Sequence, residues 1–163
     1  MFRTALRIPV VARLSQTRRT VQPNCRSAML LPLQSARYQT TVSAVFTDKT
    51  HRPFAHYSQA TKAAGQIWLS GQIPADAQGN LIKGSVAEKT QAIIRNTEAI
   101  LHEAGSSLEK VVKVVVYVKD SIIMPEFSQV YDGAFPHKPA RSLVEVSKLP
   151  ADVDIQVDFV AVT

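Results

Sequence analysis

Apolar and polar positions alternate most regularly near the C-terminal end of the chain. From residue 154 onward, Ile155, Val157 and Phe159 share one face while Asp154, Gln156 and Asp158 share the other. That period of two marks a strand with one buried side, here over Asp154–Val162. Val111–Val118 is instead almost continuously β-branched, which suits a strand with at least one face fully buried. Shorter runs predict strands at Thr41–Phe46, Tyr57–Ala63, Gln66–Ile73 and Arg141–Val146. Ala64 and Gly65 form a plausible hairpin turn between the second and third, and Pro74 ends the third. The period lengthens over Ser85–Ala104, where Ala92, Ile93, Asn96, Ala99, Ile100 and Glu103 recur at roughly helical spacing. Ser85 with Glu88 three residues on makes a capping box, and Gly105 supplies the stop. A second helix is predicted over Met124–Phe135, with Phe127 and Tyr131 one turn apart and Gly133, Pro136 and Pro139 closing it.

The predicted order is β-β-β-α-β-α-β-β, with loops at Asp48–Phe54 and Asp76–Asn80 and a turn at Pro150 and Asp152. Six strands and two helices in that order define an α+β domain: one twisted sheet with both helices on one face. The opposite face then lies open, and a domain of this size commonly covers such a face by associating with copies of itself.

Charge changes the picture of the first quarter of the chain. The formal net charge of +6 is that of a basic protein. Residues 1–41, however, hold Arg3, Arg7, Arg13, Arg18, Arg19, Arg26 and Arg37, with no Lys, Asp or Glu. Residues 42–163 keep twelve of the nineteen Lys plus Arg against all thirteen Asp plus Glu, a net charge of −1. An Arg- and Ser-rich, acid-free leader has the composition of a mitochondrial transit peptide. We therefore expect a presequence over residues 1–41, cleaved between Arg37 and Val42, a domain over residues 42–163, and the mitochondrial matrix as destination. The alternative is a basic arm that binds RNA or lipid. No run approaches the ~20 apolar residues of a membrane span. The single cysteine, Cys25, falls in the leader, so the domain has no disulfide or thiolate chemistry. His51, His56, His102 and His137 show no metal-ligand spacing, and no metal is expected.

Three places offer chemistry on residue type alone. Arg141, two residues after Pro139, has the planar guanidinium that holds a carboxylate at two points. The alternative is a structural ion pair, for instance with Glu145. Gly71, inside a predicted strand, permits close approach of backbone to ligand. Its carbonyl would accept from an N–H while Ser70 orients the ligand, and the alternative is a β-bulge with a solvated serine. Tyr57 provides an aromatic wall with a polar tip, or else a core or interface side chain.

Four strings carry more than their parts: His56 to Ala60, Ser70 to Pro74, Lys138 to Val146, and Leu149 to Val157. In this order and spacing the chain, from about Phe54 to Thr163, resembles the Rid (reactive intermediate deaminase) family. The resemblance implies a chorismate-mutase-like fold and a homotrimer with sites between subunits. It implies hydrolysis of 2-imino and 2-enamino acids, such as 2-iminobutanoate and 2-iminopropanoate, to 2-oxo acids and ammonia, with no cofactor. It makes Arg141 the carboxylate-binding residue and places Tyr57, Ser70 and Gly71 in the cleft. Two positions depart from the family pattern. Gln156 stands where the family has a water-activating glutamate, and a glutamine orients water but takes up no proton. Asp158, two residues on, is on the same face. Ser128 stands where some members carry asparagine. The substitution at 156 leaves two readings, a deaminase and a non-catalytic binder of 2-oxo or imino acids. A third, RNA-directed activity, has little footprint in a domain of charge −1. No nucleic-acid or membrane partner is expected for the domain.

Overall fold

The computed structural model describes residues 41–163, and the expected presequence lies, except for Thr41, outside them. The strands are β1 (Ser43–Val45), β2 (Ala60–Ala63), β3 (Gln66–Leu69), β4 (Val111–Val118), β5 (Ala140–Glu145) and β6 (Ile155–Val162). The helices are α1 (Val86–Glu103) and α2 (Met124–Ala134), with single 3-10 turns at Leu108–Lys110, Ser121–Ile123 and Pro150–Asp152. The order is the one expected.

One six-stranded sheet contains all the strands, in the order β1-β2-β3-β6-β4-β5. Every pairing is antiparallel except β4–β5, and α2 is the crossover that a parallel pair requires. The β2–β3 hairpin turns on Ala64 (φ 49°) and Gly65 (φ 74°), the two positive φ values of a type I′ turn, whose twist matches that of the strands.

Both helices cover one face. The Ser85 hydroxyl accepts from the Glu88 N–H at 3.2 Å, while the Glu88 carboxylate accepts from the Ser85 N–H at 2.7 Å, completing the box at the start of α1. Gly105, at φ 79°, stops it. Ala92, Ile93, Ile100 and Leu101 of α1 join Phe127 and Tyr131 of α2 in one core with Ile67, Val114, Val116, Val157 and Phe159 of the sheet. An aromatic stack runs from Phe127 to Tyr131 (5.3 Å between centroids), to Phe135 (4.6 Å) and onto Phe159 of β6 (5.8 Å). The opposite face presents Trp68, Val115, Tyr117, Gln156, Asp158 and Val160, with Trp68 still 40% exposed. This is the open face expected from the sequence.

Three strands are shorter than expected, and β5 and β6 differ from expectation by a single residue. β1 is confined to Ser43–Val45. β2 begins at Ala60, so Tyr57 is a loop residue, and β3 ends at Leu69, so Gly71 follows the strand. Hydrogen bonds described next hold both segments off the ladder.

Candidate functional site

A buried glutamine side chain organises the loop before β2. Gln59 Oε1 accepts from the Thr47 N–H at 2.7 Å, and its Nε2 donates to the Thr47 and His51 carbonyls at 3.0 and 2.9 Å. These bonds draw Thr47–His51 across the end of β2 in place of a longer ladder. The loop then closes on itself: the Phe54 N–H donates to the Tyr57 hydroxyl at 3.2 Å, and the His51 ring stacks on Phe54 at 4.8 Å.

The segment after β3 faces this loop. The Ser70 N–H donates to the Gln59 carbonyl at 3.0 Å, and the Ser70 hydroxyl donates to the Ser58 carbonyl at 2.6 Å. Its proton is thereby engaged, and its lone pairs remain to accept from a ligand N–H. Two residues on, Gln72 and Val157 exchange backbone hydrogen bonds at 2.8 and 2.9 Å, which pins this segment against β6. Gly71 is thus held beside Gln156 and Asp158. A Cβ at position 71 would stand 2.6 Å from Gln156 Cδ and 3.0 Å from Asp158 Oδ1, far inside van der Waals contact. The glycine is required by the approach of the Gln156 amide, a closer cause than the ligand contact the sequence suggested. Its carbonyl has no donor among the described residues.

Tyr57, Ser70, Gly71 and Gln156 therefore line one cleft of about 470 Å³, joined by His51, Phe54, Ile73, Pro150 and Ala151. Ala151 and Asp152, beside the cleft mouth, hold left-handed backbone at φ 53° and 56°, a conformation that costs a non-glycine residue on the order of 1 kcal/mol. His51, Phe54 and Ala151 had no signal in the sequence pattern.

Behind Gln156 lies a carboxyl group. Gln156 Nε2 donates to Asp158 Oδ1 at 3.5 Å, and the Tyr117 hydroxyl lies near the same carboxyl. Burial pushes the Asp158 carboxyl above the usual carboxylate range, against the pull of the Tyr117 and Gln156 hydrogen bonds. The Tyr117 hydroxyl is pushed up as well, first by burial and then by the charge of Asp158.

Arg141 lies elsewhere. As expected it stands near the start of β5, the edge strand. Its guanidinium sits 4.9 Å above the Tyr131 ring, a cation–π contact, in a second cavity of about 330 Å³ that includes Phe135, Lys138 and Pro139. It has no ion pair among the described residues. Glu145, its candidate partner, accepts instead from the Ser121 N–H at 3.0 Å. Register explains the separation from the cleft. Arg141 pairs with Val114, whose side chain lies under the helices, whereas Gln156 pairs with Tyr117 on the open face. Residues paired across strands share a face, so Arg141 and Gln156 project to opposite sides of the sheet. Ser128, half-buried on α2 one turn before Tyr131, lines neither cavity. A single chain thus gathers Tyr57, Ser70, Gly71 and Gln156 and leaves Arg141 and Ser128 apart from them.

Comparison with known proteins agrees with this architecture. Residues 47–163 match the family model described as Endoribonuclease L-PSP. A RutC family protein of Pyrococcus abyssi is 46% identical over 119 residues, 72% of this chain and 94% of the relative. Protein MMF1, mitochondrial, of Saccharomyces cerevisiae is 41% identical over 124 residues, 76% of this chain and 86% of the relative. The crystal structure of yeast Mmf1 superimposes with a TM-score of 0.73 at 41% identity, covering 75% of this chain and 98% of that one. The structure of E. coli TdcF with bound serine gives a TM-score of 0.70 at 26% identity, covering 74% and 98%. With one six-stranded sheet, two helices on one face and relatives matched over nearly their whole length, the chain belongs to the Endoribonuclease L-PSP family, that of the RutC and Rid proteins.

Proposed function

We propose that this protein is a mitochondrial-matrix hydrolase that deaminates 2-imino and 2-enamino acids, such as 2-iminobutanoate and 2-iminopropanoate, to 2-oxo acids and ammonia. The observation that carries the reading is the division of the recognition groups. A largely apolar cleft with a few hydrogen-bonding groups, Tyr57, Ser70 and Gln156 among them, opens on one face, and an arginine without an ion pair stands at the sheet edge on the other. A homotrimer whose subunits place Arg141 of one against the cleft of the next would unite them.

In that assembly Arg141 holds the substrate carboxylate. Ser70 Oγ and the Gly71 carbonyl accept from the substrate N–H, and Tyr57 walls the site. Water adds through oxygen to the C=N carbon, the nitrogen gains protons, and the C–N bond breaks to release ammonia and leave the 2-oxo acid. No cofactor enters that balance. The mitochondrial name of the yeast relative and the acid-free leader support the location.

A second reading, a binder of small 2-oxo or imino acids without turnover, is favoured by one observation: the Gln156 amide cannot take up a proton. RNA-directed action has less support, since residues 42–163 carry twelve Lys plus Arg against thirteen Asp plus Glu. Ammonia release from freshly generated 2-iminobutanoate decides between the first two. The enzyme reading expects acceleration by the wild type that Arg141→Ala abolishes. Wild-type release at the uncatalysed rate, together with saturable 2-oxobutanoate binding, would favour the binder.

A further inference from the structure

We propose that Asp158 is a positioning residue for hydrolysis, fixing the Gln156 amide so that its oxygen, and not its nitrogen, is presented to the water that attacks the substrate. The inference rests on the deaminase reading above and concerns the step at which this chain departs from a carboxylate-based site.

A glutamine amide has two nearly isosteric orientations with opposite hydrogen-bonding character. Free to turn, Gln156 would offer an attacking water an acceptor in one orientation and a donor in the other, and only the acceptor draws a hydrogen off the water. Three neighbours remove the freedom. Asp158 Oδ1 lies 3.5 Å from Gln156 Nε2, and an ionised carboxylate only accepts. The reversed amide would set two acceptors face to face. Tyr117, paired with Gln156 across the β4–β6 ladder, brings its hydroxyl near the same carboxyl. Gly71 leaves the gap into which the amide fits, with Gln156 Cδ only 2.6 Å from where a Cβ would stand. Nε2 is thereby engaged by Asp158 beside Gly71, and Oε1 is the amide atom left to meet water in the cleft that Gln156 lines. The partial burial of Asp158, which raises its own pKa, finds a use in this arrangement.

Asp158 acts through Gln156 and never touches the substrate, so its role is separable from that of a general base. A glutamate at 156 accepts through either oxygen and needs no orientation. Asp158→Ala should therefore lower kcat about tenfold with KM within twofold in the natural background. In a Gln156→Glu background the same change should cost less than about twofold. Asp158→Asn, which keeps the volume and one acceptor oxygen, should stay within about threefold of wild type and guards against a folding artefact. Steady-state kinetics on the four combinations, with 2-iminobutanoate as substrate, carry the test. Equal losses in both backgrounds, or a loss expressed in KM alone, would overturn the positioning role while leaving the deaminase reading intact. A wild type without activity would overturn both.

Discussion

The amide of Gln156 occupies the space that a side chain at Gly71 would need, with Cδ 2.6 Å from the position of the missing Cβ. The neighbouring Gln72–Val157 backbone pair holds the two segments at that separation. Gly71→Ala should consequently act on Gln156 more than on the fold. Gly71 is not among the residues with positive φ, and the atoms met belong to the end of a flexible side chain. The thermal midpoint should move by the equivalent of less than about 1 kcal/mol. Deamination should fall at least about tenfold as the amide is expelled. Parallel melting curves and kcat measurements check this, and a large stability loss with proportionate activity loss would contradict it.

Arg141 makes no ion pair in its own chain, only the contact with the Tyr131 ring. Arg141→Ala should lower stability by no more than about 1 kcal/mol, the scale of an exposed cation–π contact. Its effect on substrate should be far larger, about a hundredfold in kcat/KM. Arg141→Lys should recover little, because an ammonium cannot grip a carboxylate at two points. Full activity in the lysine variant would count against two-point binding.

Burial of Asp158 gives stability a pH dependence whose sign is fixed. Its folded pKa is raised above that of an ordinary aspartate in the unfolded chain, so between the two values the native state binds more protons than the unfolded state. Stability attributable to this group is then greatest at low pH and falls as pH rises through the folded pKa. Asp158→Asn should melt above wild type at pH 7, with the difference shrinking as pH approaches 4. An unchanged difference across that range in calorimetric scans would refute the assignment.

Trp68 sits on the open face, 40% exposed, in line with Val160 of β6. Trp68→Glu should leave each domain folded by circular dichroism, since the side chain is outside the core. A charge set into that surface should instead dissociate the proposed trimer and remove the proposed activity with it. Sedimentation velocity at micromolar concentration distinguishes trimer from monomer, and an intact trimer would place the interface elsewhere.

Local signals in the sequence carried most of the fold. The capping box at Ser85, the turn at Ala64 and Gly65, and the alternation through Ile155, Val157 and Phe159 all depend on residues within a few positions of each other. The strand ends did not follow, because their causes are distant. Gln59 reaches Thr47 twelve residues away, and that bond, not the alternation of Tyr57–Ala63, sets where β2 begins. Insertion of β6 between β3 and β4 has no local signature either. The family resemblance named the candidate residues, but the sequence did not show that Tyr57, Ser70, Gly71 and Gln156 share one cleft. The face taken by Arg141 depends on its parallel register with Val114, and His51 and Phe54 lie in a loop with no periodicity to read. Ala151 and Asp152 adopt positive φ without the glycine or asparagine that would have announced it.

The opposite facing of Arg141 and Gln156 has a genetic consequence. In the proposed trimer, two damaged chains, one lacking the arginine and one lacking a working cleft, would meet in a mixed assembly and make a sound site from the intact half of each. Arg141→Ala and Gly71→Ala proteins, each strongly impaired alone, should regain partial activity when unfolded and refolded together. Recessive alleles at the two positions should complement one another in a cell.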